Sequence, residues 1–435
     1  MNLFELSLKL NGFPITEAKQ FLEKIQRIPE SEYEEYVEKA RAEIVAHHLD
    51  TNPFYKDFVG SRNTARWADV PVMQKSDLQR PLIERLSKGF PKKKVYVNKT
   101  SGSSGHPFIF AKDKFCHALT WAEIIDRFGW YGLSFHRSYQ ARFYGIPLDS
   151  IGYKKERFKD WLGRRYRFPI FDLSNDKMEE FLEHFRKKQF DHINGYTSSI
   201  VLFAKYLNSK NIILSKICPS LRYCVVTSEM LFEDDKKLME KTFGVPVINE
   251  YGASELDLIA FTNKADEFVL NSETLYVEIV DDYDNPVPHG TPGRVVITSL
   301  YNKAHPMIRY DIGDTGVIDP KSTMKKPVLA KLIGRTNDIA RLPGGKTVPG
   351  LTFYYVTKSV IEDDGNVREF VIEQNSLDSF KIIYVSEKEL TTSEENTIKN
   401  ALYTYLENDL RLTFERREVL DRSKRGKLKQ FTSLL

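Results

Sequence analysis

The sequence predicts an α/β protein: a large amino-terminal domain with an embedded β module, and a small α+β lid domain at the carboxyl end. Three observations carry that prediction. Helical patterns alternate with short β-rich runs between residues 178 and 243, the signature of a predominantly parallel sheet. From residue 269 to 300 the chain becomes β-rich around Asp281–Pro292, a stretch dense in Asp, Asn, Pro and Gly, which reads as an antiparallel module. From about Gly334 the pattern resets to two strand signals, a helix and a basic tail.

The elements follow in order. At 435 residues the chain exceeds one ordinary core, and the reset divides it into domains 1–334 and 335–435. Residues 15–50 read as a charged amphipathic helical region, with Phe21, Ile25, Tyr33, Tyr36 and Ile44 at recurring spacings. Val95-Tyr96-Val97 is a strand signal that runs directly into a Ser/Gly loop. Met178–Lys188 reads as helix, Phe190–Asn194 as extended, Tyr196–Asn208 as helix, Tyr223–Val226 as strand and Glu233–Phe243 as helix. Val269–Val280 and Arg294–Ser299 are the strands of the β module. The final domain holds a Pro343-Gly344-Gly345 turn, strands at Glu369–Glu373 and Phe380–Val385, and a helix at Ser393–Glu407.

Composition narrows the function classes. Hydrophobic residues are 41% and charged residues 29% of the chain, so it is neither a disordered tail nor a membrane bundle. The net charge of +4 (64 basic against 60 acidic) is too small to argue for nucleic acid. Cys116, Cys218 and Cys224 form no CxxC pair, so neither a zinc site nor a disulfide framework is expected, and a reduced, cytoplasmic setting fits. Met1–Phe13 is interrupted by Glu5 and Lys9, unlike a signal peptide. No run nears the roughly 18 apolar residues of a membrane span.

Five stretches can carry chemistry. Thr100-Ser101-Gly102-Ser103-Ser104-Gly105 follows a strand and offers tight turns with several N–H and O–H donors for one anion, or is simply a solvated loop. It lacks the Gly-Lys-Ser/Thr ending of a P-loop. Asn249-Glu250-Tyr251-Gly252-Ala253-Ser254-Glu255 sets a glycine where a planar ligand can approach backbone and an acid that can ligate Mg²⁺; a strand-end turn is the plain alternative. Arg309-Tyr310-Asp311-Ile312-Gly313-Asp314 places carboxylates at a glycine turn, able to accept from ribose hydroxyls or to shape a β-turn. Gly334-Arg335-Thr336-Asn337-Asp338 lies at the domain boundary with the composition of a hinge. Arg422–Lys429, with Gly426-Lys427 at its centre, is read either as a solvated tail or as an anion-binding patch.

In their joint order these five segments resemble the adenylate-forming superfamily of acyl-CoA synthetases, adenylation domains and luciferases. The nearer likeness is to its phenylacetate–CoA ligase branch, including CapK-like proteins of capsular polysaccharide loci. Asn194–Ser199 and Val226–Leu231 add to the match, which runs from about residue 50 to the end. The resemblance implies ATP, Mg²⁺ and CoA as cofactors and a small carboxylic acid as substrate. It implies that Thr100–Gly105 folds over the ATP phosphates. Ser228, Glu229, Asn249, Glu250 and Tyr251, with Gly252 and Ser254 of the same turn, would line the nucleotide site. Glu255 would hold Mg²⁺, Asp314 the ribose with Arg335 nearby, and Lys427 would bridge carboxylate and α-phosphate. Rotation about Thr336–Asp338 would withdraw Lys427 and bring Leu342–Gly345 to a pantetheine tunnel. The chain departs from the common pattern at Asn337, where many relatives carry Asp, and is looser over Ala340–Pro349.

The expected reaction is therefore adenylation of an acid with release of pyrophosphate, then thioester formation with CoA. The alternatives are transfer to an amine or hydroxyl of a surface polysaccharide, or a non-catalytic nucleotide- or glycan-binding protein. No nucleic-acid partner is expected; a homodimer is the default oligomer. Phe143, Tyr144, Tyr196 and Ala253 are candidates for an acyl pocket, with core packing as the commoner role of such residues. The cationic run Lys154, Lys155, Arg157, Lys159, Arg164, Arg165 and Arg167 is read as a solvated face, or as a contact for the CoA 3′-phosphate or an acidic saccharide.

Overall fold

The computed structural model describes residues 3–99, 108–145, 150–170, 174–229, 231–333, 339–349, 367–386, 388–405, 410–418 and 431–435. They divide into two units. Described residues of the first come from Met1–Thr100, Phe108–Arg137 and Asn249–Arg335; those of the second come from Ser138–Ile248 and Thr336–Leu435.

The first unit opens with helices rather than the one helical region read over 15–50. Ile15–Gln26 and Glu30–Thr51 are separate because Pro29 cannot continue a helical ladder and instead starts the second helix. Strands β1 (Tyr96–Lys99) and β2 (Ile109–Lys112) pair antiparallel, with Lys99 opposite Ile109. Strand β7 (Val247–Ala253) brings the chain back from the second unit and pairs antiparallel with β8 (Asp257–Thr262), which pairs with β9 (Phe268–Leu270). The expected β module is present as the antiparallel order β10-β11-β12-β13, namely Leu275–Val280, Gly293–Ser299, Tyr310–Ile318 and Leu329–Ile333. One boundary differs: Val269–Val280 is two strands. At the break the Asn271 carboxamide accepts from the Thr274 N–H (3.2 Å), and the Thr274 hydroxyl donates to buried Glu123 (2.6 Å). Ile259, Ile297, Ile308, Met307 and Tyr310 centre the core.

The second unit holds the parallel sheet that the alternation predicted, in the order β4-β3-β5-β6. Its strands are β3 (Gln140–Phe143), β4 (Arg165–Phe168), β5 (His192–Tyr196) and β6 (Tyr223–Thr227). Helices Asn175–Lys187, Thr197–Ser209 and Glu233–Phe243 accompany it. Phe143 is fully buried and stacks on Phe168 at 4.9 Å, among Phe181 and Phe203. It is a core residue, and its reading as an acyl-pocket residue gives way to packing. Gly195 cannot be larger: a Cβ there would stand 2.4 Å from the Phe143 carbonyl oxygen.

The same unit contains a hairpin, β14 (Ile339–Arg341) with β15 (Thr347–Pro349), closed by the Pro343–Gly345 turn. It also contains the sheet β18-β17-β16-β19, from Arg411–Arg416, Ser379–Ser386, Val367–Ser376 and Phe431–Ser433. Helix Thr392–Tyr405 adds Ile398 and Leu402 to a core drawn wholly from Ala340 to Phe431. Buried Gln374 joins the pieces: it accepts from the Arg341 N–H (3.2 Å) and the Ser433 hydroxyl (3.3 Å), and donates to the Arg341 carbonyl.

The three cysteines are buried free thiols. Among the described residues no helix is long and apolar enough to cross a membrane. Buried histidines make the first unit acid-sensitive. His48 Nε2–H donates to the Asn302 carbonyl (2.9 Å), so in the neutral ring Nδ1 accepts from Ser87 (3.1 Å). Burial pulls His48 down to about 3. The unfolded chain takes up this proton near pH 6.5 and the folded chain does not, so its contribution is complete above pH 6.5 and is lost as pH falls toward 3. At pH 5 the loss is about 2 kcal/mol. Urea unfolding at pH 7.5 and pH 5.0 should therefore show a stability drop in the wild type that is smaller by about that amount in His48→Gln. Equal drops in the two proteins would remove His48 from the account.

Candidate active site

In the first unit two strands converge on one cluster. The Asn249 N–H donates to Thr262 Oγ1 (3.1 Å), and Glu250 pairs with Phe261, so the start of β7 is fixed against β8. The chain then turns through Gly252-Ala253-Ser254-Glu255-Leu256, where the Leu256 N–H reaches the Ala253 carbonyl (3.1 Å). A Cβ on Gly252 would lie 2.7 Å from the Asp257 carbonyl oxygen, and Asp257 itself adopts φ of 57°. The turn is tight enough to demand glycine. It leaves Ser254 exposed and Glu255 buried.

Strand β12 supplies the other half. Alternate residues of a strand share a face, and Tyr310 and Asp314 both reach the β7–β8 turn. The Tyr310 hydroxyl donates to Glu255 Oε1 (3.1 Å), and the Tyr251 hydroxyl donates to Asp314 Oδ2 (2.7 Å). Between them, Asp311 does not face this cluster: its carboxylate accepts from Arg294 (2.7 Å) and from the Gly313 N–H (2.7 Å), shaping the turn. The two motifs read separately in the sequence are thus joined through Tyr251–Asp314 and Glu255–Tyr310.

Lys112, at the end of β2, is a residue the sequence reading missed. Its buried ammonium forms an ion pair with Asp257, two residues past Glu255. Burial pulls it down to about 8, against the opposing pull of Cys116, Glu255 and Glu123, so it is still charged at neutral pH. The available signal was a lysine closing the apolar run Phe108-Ile109-Phe110-Ala111.

Ser228 and Glu229 lie in the second unit, just past the carboxyl end of β6. Ser228 is exposed with φ of 71°, and the Glu229 carbonyl accepts from the Thr197 hydroxyl (3.2 Å). Beyond the carboxyl ends of parallel strands is where open α/β sheets bind ligands. At the neighbouring ends of β3 and β5, Tyr144 and Tyr196 pack ring to ring at 4.6 Å. Thr100–Gly105, Arg335 and Lys427 lie outside the described residues, as does the hinge Gly334–Asp338. Leu342 is buried at the root of the β14–β15 turn.

Comparison with known proteins agrees with the resemblance drawn from the motifs. No protein-family model matches the chain. It is 24% identical over 407 residues to Protein CapK of Staphylococcus aureus, covering 88% of this chain and 85% of that protein. It is 23% identical over 348 residues to a phenylacetate–coenzyme A ligase of Thermus thermophilus, covering 75% of each. Its fold matches that of a 2-hydroxyisobutyryl-CoA ligase solved with 2-HIB-AMP and CoA in the thioesterification state. That match has a TM-score of 0.58 at 16% identity, over 93% of this chain and 90% of that one. These likenesses are consistent with the adenylate-forming superfamily, and the structural match gives the chain the fold of that ligase.

The Tyr251–Asp314 hydrogen bond can be tested by itself. A bond to a buried carboxylate contributes about 1.5–3 kcal/mol, so Tyr251→Phe should lower the unfolding free energy by that order. An unchanged urea midpoint would mean that Asp314 is held by other contacts.

Proposed function

We propose that this adenylate-forming ligase converts a carboxylic acid and ATP to an acyl-adenylate and pyrophosphate, then transfers the acyl group to CoA. The observation that carries the reading is the joining of Glu255, Tyr310, Tyr251 and Asp314 by two hydrogen bonds. The likeness to phenylacetate–CoA ligases supports CoA as acceptor.

The chemistry follows from charge. A carboxylate is a weak electrophile and is repelled by the triphosphate it must attack, so the site has to supply positive charge and in-line alignment. Glu255 would hold Mg²⁺. Among the described residues no group of three or more His, Cys, Asp or Glu forms a complete metal cage. A single carboxylate nevertheless suits an ion that takes most of its other ligands from phosphates and water. Bound there, the metal would neutralise phosphate charge. Tyr310, by donating to Oε1, would fix the carboxylate orientation. Asp314, oriented by Tyr251, would accept from the ribose hydroxyls, with Arg335 beside it. Glu250, Asn249, Ser228 and Glu229 would border the adenine, and Thr100–Gly105 would contact the phosphates. Lys427, a compact point charge, would contact carboxylate and α-phosphate together during adenylation. Withdrawn on a mobile domain, it would then make room for the acceptor.

Lys427→Ala is expected to reduce acid-dependent ATP–pyrophosphate exchange at least 100-fold, while thioester formation from a supplied acyl-adenylate and CoA persists. Exchange at the wild-type rate would remove the lysine from the mechanism. Run over a panel of carboxylates, the same assay names the acid. Exchange without a CoA thioester would redirect the second step to an amine or hydroxyl acceptor.

A further inference from the structure

A cleft lies at the amino ends of the parallel strands, the end opposite to Ser228 and Glu229. Tyr139 precedes β3, Arg164 precedes and Arg165 begins β4, and Lys188 precedes β5, so all stand at the amino ends of strands paired in parallel register. With Trp161 they line a cleft of about 560 Å³. Arg157 completes the wall from the helix Ser150–Leu162.

The cleft collects positive charge. Arg157 and Lys188 both sit on the Tyr166 ring, at 5.0 and 3.9 Å from its centre. The Tyr166 hydroxyl also meets His184 Nε2 at 2.8 Å. His184 is held below its usual range by burial and then by Lys188, Lys187 and Arg157; Lys188 is likewise lowered by burial and by Arg157. The wall also includes Asp160, so Arg157, Arg164, Arg165 and Lys188 stand against a single carboxylate. Asp160 accepts from Arg165 (2.6 Å) and Arg167 (3.0 Å), and Glu156 pairs with Lys159 (2.7 Å) and Arg167 (2.8 Å). Cations crowded this way repel one another, and an anion among them relieves the repulsion.

We propose that this cleft binds a phosphoryl group carried by a second ligand, independent of the acid and nucleotide of the proposed reaction. Planar guanidinium forks and a lysine match a dianion better than the single charge of a carboxylate. Trp161, 72% exposed and packed against the exposed Phe158, offers an apolar face for whatever carries the phosphate. That carrier is a free sugar or polyol phosphate, or the headgroup of an anionic lipid, and the experiment separates the two.

The full-length protein is titrated with glucose 1-phosphate, and separately sedimented with vesicles of phosphatidylglycerol and phosphatidylcholine or of phosphatidylcholine alone. Hydrogen exchange locates the contact. Binding with protection over residues 157–166 and 184–188 is expected. It should weaken at least tenfold in Arg157→Gln/Lys188→Gln, with ATP–pyrophosphate exchange unchanged. Arg164→Asn serves as a second variant, because asparagine tolerates the left-handed backbone there (φ 47°) and folding is not at stake. Binding to phosphatidylglycerol vesicles but not to glucose 1-phosphate also supports the site and assigns the phosphate to a lipid. The proposal is overturned if neither probe binds, if the variants bind as the wild type does, or if phosphatidylcholine vesicles bind equally well.

Discussion

The first unit is organised around one buried cation. Arg309 is 1% exposed, yet it carries a full charge directly before the strand that bears Tyr310 and Asp314. Its guanidinium pairs with Glu278 at 3.0 Å and donates to the carbonyls of Val70 (2.7 Å) and Asp284 (2.8 Å). Its own backbone is left-handed at φ 44°, with its N–H held by Thr298 (2.8 Å). Burial pushes the Glu278 carboxyl up, and Arg309 and the Trp67 indole N–H hold it back. Such an arrangement is stable only as a complete set, since a partner left alone would be an uncompensated charge in an apolar core. The set therefore specifies where residues 68–73, 278–284 and the start of β12 must lie.

That specification reaches the candidate site through a short path. The Met73 N–H donates to the Arg309 carbonyl and the Asp311 N–H to the Met73 carbonyl, both at 2.9 Å, so β12 is gripped on either side of Tyr310. From this fixed start Tyr310 meets Glu255, and four residues on Asp314 meets Tyr251. The opposite side of the turn is held by Lys112 on Asp257. If Glu255 holds the metal proposed for it, such restraint would set its geometry before the ligand arrives.

How much of this could be read in advance depends on the range of the interaction. Glu233–Phe243 was legible to the residue, because its apolar spacing and the left-handed Gly244 that ends it are local signals. The antiparallel module and the small carboxyl-terminal core were legible for the same reason. The division of 15–50 was misread because periodicity continued across Pro29. Val269–Val280 was misread because its break depends on Glu123, far away in the sequence. At the candidate site, Glu255 and Asp314 were singled out by motif, but Tyr251–Asp314 spans distant strands and Lys112 acquires meaning only from Asp257. Local chemistry names the residues; only the sheet decides which of them meet.

The same logic bears on the proposed catalytic lysine. The segment that carries Lys427 runs between β18 and β19, and those strands occupy opposite edges of the sheet β18-β17-β16-β19. Each edge is secured separately: Arg416 donates to the Ser386 carbonyl (2.9 Å), and Phe431 is buried in register with Ile372. Ser433 is further tied to Gln374, which also holds Arg341 of the hairpin. The strands that flank the segment are thus held within the small sheet itself. A lysine kept in solvent until it met a phosphate would avoid the desolvation that a buried ammonium such as Lys112 undergoes. Under the proposed mechanism the two lysines would divide the electrostatic work, Lys112 pairing with Asp257 beside Glu255 and Lys427 supplying charge for adenylation.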